Sequence, residues 1–175
     1  MVNSGTSGGA FHRCWAEINL AVLQSNIAAI RSALPAHVNY CAVVKADGYG
    51  HGAGPVAAAA FACGVRLFAV ANPNEARQVL AAAPQARALV FGSLFAGELE
   101  AFADERMVPT VSNAEEAALL EKLAQQLGRP LALQLKVDTG MGRLGVWQDE
   151  ALALYRRLLA SKWLQIEAVY SHLPQ

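Results

Sequence analysis

An excess of charge of either sign is absent. Fourteen acidic residues balance fourteen basic ones in 175, and the isoelectric point lies near 6.9. A nucleic-acid or anionic-membrane surface calls for a basic face, which this balance does not favour. Aromatics are sparse, at 7%, which argues against a platform for stacked bases. Cysteine is scarce too: Cys14, Cys41 and Cys63 form an odd, widely spaced set with no CxxC pair. Neither a disulfide framework nor a zinc site is expected from that pattern. Reduced, mostly buried thiols fit a cytosolic protein. The opening MVNSGTSGGAFHR has no basic stretch and no apolar stretch, so it does not read as a secretory leader. Residues 1–12 are expected to be a disordered tail or a cloning remnant. The longest apolar run, AGPVAAAAFACGV, is stopped by Arg66, short of the roughly 20 residues a membrane span needs. No GxGxxG follows the first strand, which weakens a dinucleotide-binding reading.

What is present is apolar periodicity. The chain is 54% hydrophobic, enough to build one domain around a core. CWAEINL alternates as a strand does. Asn19 is placed to cap LAVLQSNIAAIRSAL, whose apolar residues recur at helical spacing. A rhythm follows. YCAVVK, RLFAVA, RALVFG, MVPTVS, LALQLKVD and LQIEAVYSH read as strands, and five helical segments separate them. GPVAAAAFACG ends on Gly64, a suitable C′ residue. NPNEARQVLAAA has Asn72 as cap and Pro73 at the first helical position. AGELEAFADE reads as a helix. NAEEAALLEKLAQQLG pairs Asn113 with Glu116 as a capping box and ends on Gly128. Near-continuous apolar strands alternating with helices predict parallel βαβ units buried on both faces. Two architectures fit: a doubly wound sheet, or a (β/α)8 barrel, which needs eight strands and about 250 residues. The barrel reading implies a piece of a longer chain, natural or artificial, because SHLPQ falls where a sixth strand hands over to its loop.

In either architecture ligands bind at the C-terminal ends of the strands, where Lys45, Asn72, Lys136, Asp138 and His172 collect. Period-2 alternation puts Cys41, Val43 and Lys45 on one face. Loss of hydration in a packed interior favours an uncharged amine, the nucleophile a Schiff base requires. The plainer reading is a snorkelling lysine. The ADGYGHG that follows favours the first, because its glycines let backbone turn sharply or approach a ligand. Tyr49 offers a hydroxyl suited to a phosphate oxygen, whereas His51 fits a loop-packing role at least as well as a ligand contact. In LALQLKVD, the leucines and Val137 are expected to meet helices. Gln134 and Lys136 then face the interior, an odd place for an unpaired charge unless a carboxylate such as Asp138 pairs with it. The TGMGRLG loop presents Arg143, whose planar donors fit a carboxylate or a phenolate oxygen. His172 ends the last strand in the layer of Lys45, where an imidazole can stack on a cofactor ring.

AVVKADGYGHG resembles the pyridoxal-phosphate lysine motif of bacterial alanine racemases, usually seen as AVVKA-x-AYGHG. LKVDTGMGRLG resembles that family's second signature. RCWAEINLAVLQSNI, LFAVANPNEA and VYSHLP are also similar to it, in the same order, so the resemblance covers residues 13–175. It implies an α/β fold, a parallel TIM barrel reaching about strand six of eight, without the family's C-terminal β-domain. It implies pyridoxal 5'-phosphate as cofactor and interconversion of L- and D-alanine for cell-wall precursors. It also implies a cytoplasmic enzyme that is a homodimer at full length, with no metal. By the same resemblance Lys45 holds the cofactor as an internal aldimine and serves as a catalytic base. Tyr49 lies near the cofactor phosphate. Arg143 contacts the phenolic oxygen and the substrate carboxylate, and His172 stands beside the pyridine ring. Lys136 matches a lysine that is carbamylated in several members, which answers the unpaired charge.

The family's full chain is about twice as long, and its second base, a tyrosine, comes from the partner's β-domain. These residues alone are therefore expected to racemise alanine poorly. Three other functions stay open: a decarboxylase on the same barrel, a non-catalytic pyridoxal-phosphate carrier, and a cofactor-free Schiff-base aldolase.

Overall fold

The computed structural model describes residues 14–173. Helix α1 (Leu20–Ala33) opens where the sequence predicts, with Asn19 Oδ1 accepting from Val22 N at 3.1 Å. The first strand, β1 (Cys41–Val43), is followed by a single turn, α2 (Lys45–Gly50), and by helix α3 (Ala53–Ala62). Then come β2 (Leu67–Val70), α4 (Pro73–Ala82) and β3 (Arg87–Val90). A 3-10 helix (Ala96–Ala103) leads to β4 (Met107–Val111), α5 (Ala114–Leu127) and β5 (Leu131–Asp138). A two-residue strand β6 (Val146–Trp147), helix α6 (Gln148–Ala160) and β7 (Leu164–Ser171) complete the described chain.

Strand order decides between the two architectures. β1, β2, β3, β4 and β5 are neighbours in sequence order, all parallel, and β7 pairs along the other side of β5. A doubly wound sheet reverses its order at a switch point; this one never does. Six parallel strands in barrel order follow, with the short β6 extending the β4 side of β5 at Val137 and Asp138. Alternation sorts the strand residues. Ala42, Val44, Phe68, Val70, Leu133 and Leu135 pack outward into one continuous core with the helices. Val43, by contrast, is 40% exposed on the inner face. Burying a Leu or Phe side chain contributes about 1.5–3 kcal/mol, so the outward rows hold the sheet to its helices.

One expectation gives way. CWAEINL is not a strand: Cys14–Asn19 has no regular structure, and Trp15 is 73% exposed with its Nε1 donating to Glu17 Oε1 at 3.0 Å. Alternation alone does not make a strand without a neighbour to pair with, and among the described residues no strand pairs with it. AGELEAFADE is helical as expected, wound as a 3-10 helix over Ala96–Ala103, a form short segments adopt readily. The expectation for residues 1–12 lies outside the described residues.

Gly64 ends α3 with φ of 85° and Gly128 ends α5 with φ of 67°, as predicted for left-handed caps.

Candidate functional site at the strand C-termini

The site begins with an unusual turn. Ala46, Asp47, Gly48 and Tyr49 have φ between 52° and 62° and ψ between 37° and 52°. The chain after Lys45 therefore winds one left-handed helical turn, a conformation that costs L-residues about 1–2 kcal/mol each. The glycine-punctuated sequence predicts a sharp turn but not its hand, because three of the four left-handed residues are not glycines. Gly48 N donates to Val44 O and Gly52 N to Asp47 O, both at 2.9 Å. Asp47 Oδ1 accepts from Ala53 N at 2.7 Å and so ties the turn to α3.

Lys45, Tyr49, Lys136, Arg143 and His172 all line one cleft of about 400 Å³. It lies at the C-terminal ends of β1, β2, β3, β5 and β7. Lys45 Nζ stands 5.9 Å from the centre of the Tyr49 ring, which is 58% exposed. Lys136, only 5% exposed, carries its Nζ 5.8 Å from the Tyr170 ring centre. Desolvation first, then the nearby Arg143 and Lys45 charges, lower the Lys136 pKa, against the opposing pull of Asp138. No ion pair involves Lys136 among the described residues.

Asp138 does not pair with Lys136, because its carboxylate is committed to the loop. Oδ1 accepts from Gly140 N at 2.9 Å and Gly142 N at 3.1 Å, and Oδ2 accepts from Arg143 N at 3.1 Å. These backbone donors, Gly140 foremost, hold the Asp138 carboxyl below the usual range. One aspartate therefore shapes TGMGRLG and presents Arg143 at the cleft. Two expected residues stand elsewhere. Asn72 caps α4, its Oδ1 accepting from Glu75 N at 3.0 Å. His51 is exposed, with Nδ1 3.1 Å from the Tyr49 carbonyl oxygen.

Sequence reasoning missed Tyr170 and Phe91, whose ring centres lie 5.7 Å apart on the cleft floor. The Tyr170 hydroxyl and Thr110 Oγ1 share a hydrogen bond of 2.8 Å, and burial pushes the phenol up to about 12. Parity offered a signal: Tyr170 lies two residues before His172 on one strand face. Gly92 was also missed; a Cβ there would collide with the Ala71 carbonyl oxygen. Two larger cavities, of about 720 and 650 Å³, lie beside α5 and α6 and at the N-terminal strand ends. Neither contains a lysine, so cavity size alone does not find the chemistry.

With this geometry in hand, the comparisons are specific. The family model for the alanine racemase N-terminal domain matches residues 18–175. The chain belongs to that family. An alanine racemase from Chlorobaculum tepidum is 40% identical over 161 residues, covering 90% of this chain and 42% of that protein. The chain thus spans less than half the length of the curated relatives it matches. Among solved structures, alanine racemase from Bacillus anthracis with bound L-Ala-P superposes with a TM-score of 0.83 at 28% identity. That match covers 95% of this chain and 43% of the other. Alanine racemase from Bartonella henselae, with covalently bound pyridoxal phosphate, gives a TM-score of 0.80 at 26% identity over 89% of this chain and 45% of that one. These superpositions, with the strand order described above, make the fold a partial parallel (β/α) barrel.

Proposed function

We propose that this chain is the lysine-bearing portion of a pyridoxal-phosphate-dependent racemase that interconverts L- and D-alanine. The observation that carries this reading is the convergence of Lys45, Tyr49, Lys136, Arg143 and His172 on one cleft. The donor set fits the cofactor: an amine for its aldehyde, a phenol for its phosphate, a guanidinium for its phenolic oxygen and an imidazole beside its ring. When bound, pyridoxal phosphate supplies the aldehyde and a conjugated ring that delocalises the carbanion left by α-proton removal.

The chain's own residues divide the remaining work. Lys45 holds the cofactor and exchanges a proton at its Nζ. Tyr49 donates its hydroxyl toward the phosphate. Arg143 donates toward the phenolic oxygen and the substrate carboxylate, and the Asp138-bound loop keeps it at the cleft. Lys136, with its lowered pKa, is the amine best suited to take up carbon dioxide. A C–N bond forms, a proton leaves, and the resulting carbamate anion sits beside Arg143 and offsets two neighbouring cations.

Racemisation needs a second base facing Lys45. The resemblance assigns it to the partner subunit of a homodimer, outside the segment described here. Appreciable turnover is therefore expected only where a segment bearing that base is also present. Among the described residues no helix is long and apolar enough to cross a membrane; a cytoplasmic setting, supplying D-alanine for the cell wall, is part of the proposal.

Absorbance of the purified chain with added pyridoxal phosphate tests the reading. A band near the visible edge that vanishes in Lys45→Ala is expected. A well-folded chain without that band would overturn it, and a cofactor-free aldolase would take its place. If the band is present, D-alanine formation on adding a separately purified C-terminal half of an alanine racemase favours the racemase over a carrier.

A further inference from the structure

The turn behind Lys45 is held by a side chain from a different βα unit. Ala46, Asp47 and Tyr49 have φ of 52°, 53° and 55°, a region that residues with a Cβ avoid. A run of such residues persists only where surrounding contacts over-determine it. The backbone bonds within the turn and the Asp47 link to α3 do not serve the N–H of Ala46. It is among the orphan donors that begin any helical turn.

Glu75 serves it. Its Oε1 accepts from Ala46 N at 2.9 Å, and its Oε2 accepts from Ala71 N at 2.8 Å. Ala46 is the residue bonded directly to Lys45, and Ala71 lines the same cleft. A single carboxylate thus joins the two backbone segments that border the lysine. Glu75 is itself placed by Asn72, which caps its N–H at 3.0 Å. The β4–α5 junction is built alike, yet there Glu116 accepts from Leu94 N and Ser112 N, neither of which adjoins a lysine in the chain. The arrangement is therefore architectural in one place and directed at the lysine in the other.

We propose that Glu75 is a positioning residue for Lys45: by anchoring Ala46 in the left-handed turn, it fixes the direction in which Nζ enters the cleft. The inference rests on the reading of Lys45 as the cofactor-binding lysine. A misplacement of about 1 Å at a reacting group costs on the order of a hundredfold, so losing one of several anchors should cost less than that but remain measurable.

Three readouts on the wild-type chain, Glu75→Ala, Glu75→Gln and Glu116→Gln test it. They are hydrogen exchange at the Ala46 amide, the rate of reductive methylation of Lys45 by formaldehyde and cyanoborohydride, and the pyridoxal-phosphate concentration at half-maximal imine absorbance. Glu75→Ala is expected to speed Ala46 exchange, to alter the methylation rate, and to raise that concentration about tenfold. Glu75→Gln keeps one acceptor and should fall between, while Glu116→Gln should leave the Lys45 readouts at wild-type values. Wild-type exchange, methylation and affinity in Glu75→Ala would overturn the proposal, as would an equal response to Glu116→Gln. If the wild-type chain forms no imine, the cofactor reading fails, and exchange with methylation still decides the positioning. If Glu75→Ala does not fold, Glu75→Gln against Glu116→Gln makes the same comparison.

Discussion

Two junctions in this sheet use the same four-residue device for different ends. After β2, Asn72 caps the N–H of Glu75; after β4, Asn113 caps the N–H of Glu116 at 2.8 Å. In each, the glutamate reaches back to the residue before the cap and out to the loop of the preceding βα unit. The difference is what lies at the far end. Glu116 is 5% exposed and holds Leu94, a buried residue of the loop after β3. Glu75 is half-buried and holds Ala46, at the mouth of the lysine cleft. An identical local motif becomes structural support or site geometry according to which loop its second oxygen meets.

Stability measurements sharpen this contrast, starting with the largest effect. Glu116→Ala leaves two backbone donors unserved in a dry setting, at about 1–3 kcal/mol for a fully buried one. Urea unfolding should show a loss of about 3 kcal/mol. Glu75→Ala should lose about half as much, because water reaches Ala46 more easily. Equal losses would erase the distinction. Next come the caps: Asn72→Ala and Asn113→Ala should each cost about 1 kcal/mol and agree with one another, since the cap geometry is shared. A clear inequality would mean the junctions differ in more than their far contacts.

The smallest effect is in pH dependence. Burial holds the Glu116 carboxyl above the ordinary glutamate range, outweighing the Ser112, Leu94 and Asn113 backbone donors that pull it down. The folded chain then binds that proton more tightly than the unfolded chain. Its contribution is full below the unfolded value near 4.5 and is lost as pH rises through the raised folded value. Relative to Glu116→Gln, wild-type stability should fall across that window. A rise there would reverse the assigned cause.

Much of this was readable in the sequence because it is local. Asn19, Asn72 and Asn113 as caps, Gly64 and Gly128 as helix ends, and the outward leucines of β5 follow from spacing within a dozen residues. Lys45, Tyr49, Lys136, Arg143 and His172 were legible as a group because parallel strands deliver all their C-terminal ends to one edge. What was not legible spans units. The Glu75–Ala46 bond crosses 29 residues and the Thr110–Tyr170 bond crosses 60, and neither leaves a periodic trace. The hand of the turn after Lys45 was hidden as well, since it depends on contacts to α3 and Glu75 rather than on composition. Asp138 was visible as a possible partner for Lys136, yet the glycine loop's backbone donors outcompete the lysine for it.

The central claim is that Lys45, rather than Lys136 in the same cleft, carries the cofactor. Reduction of the chain with borohydride in the presence of pyridoxal phosphate, followed by peptide mass spectrometry, tests this directly. The account predicts one stoichiometric pyridoxyl adduct on the peptide containing Lys45, absent in Lys45→Ala. An adduct centred on Lys136, or spread evenly over surface lysines such as Lys122 and Lys162, would contradict it.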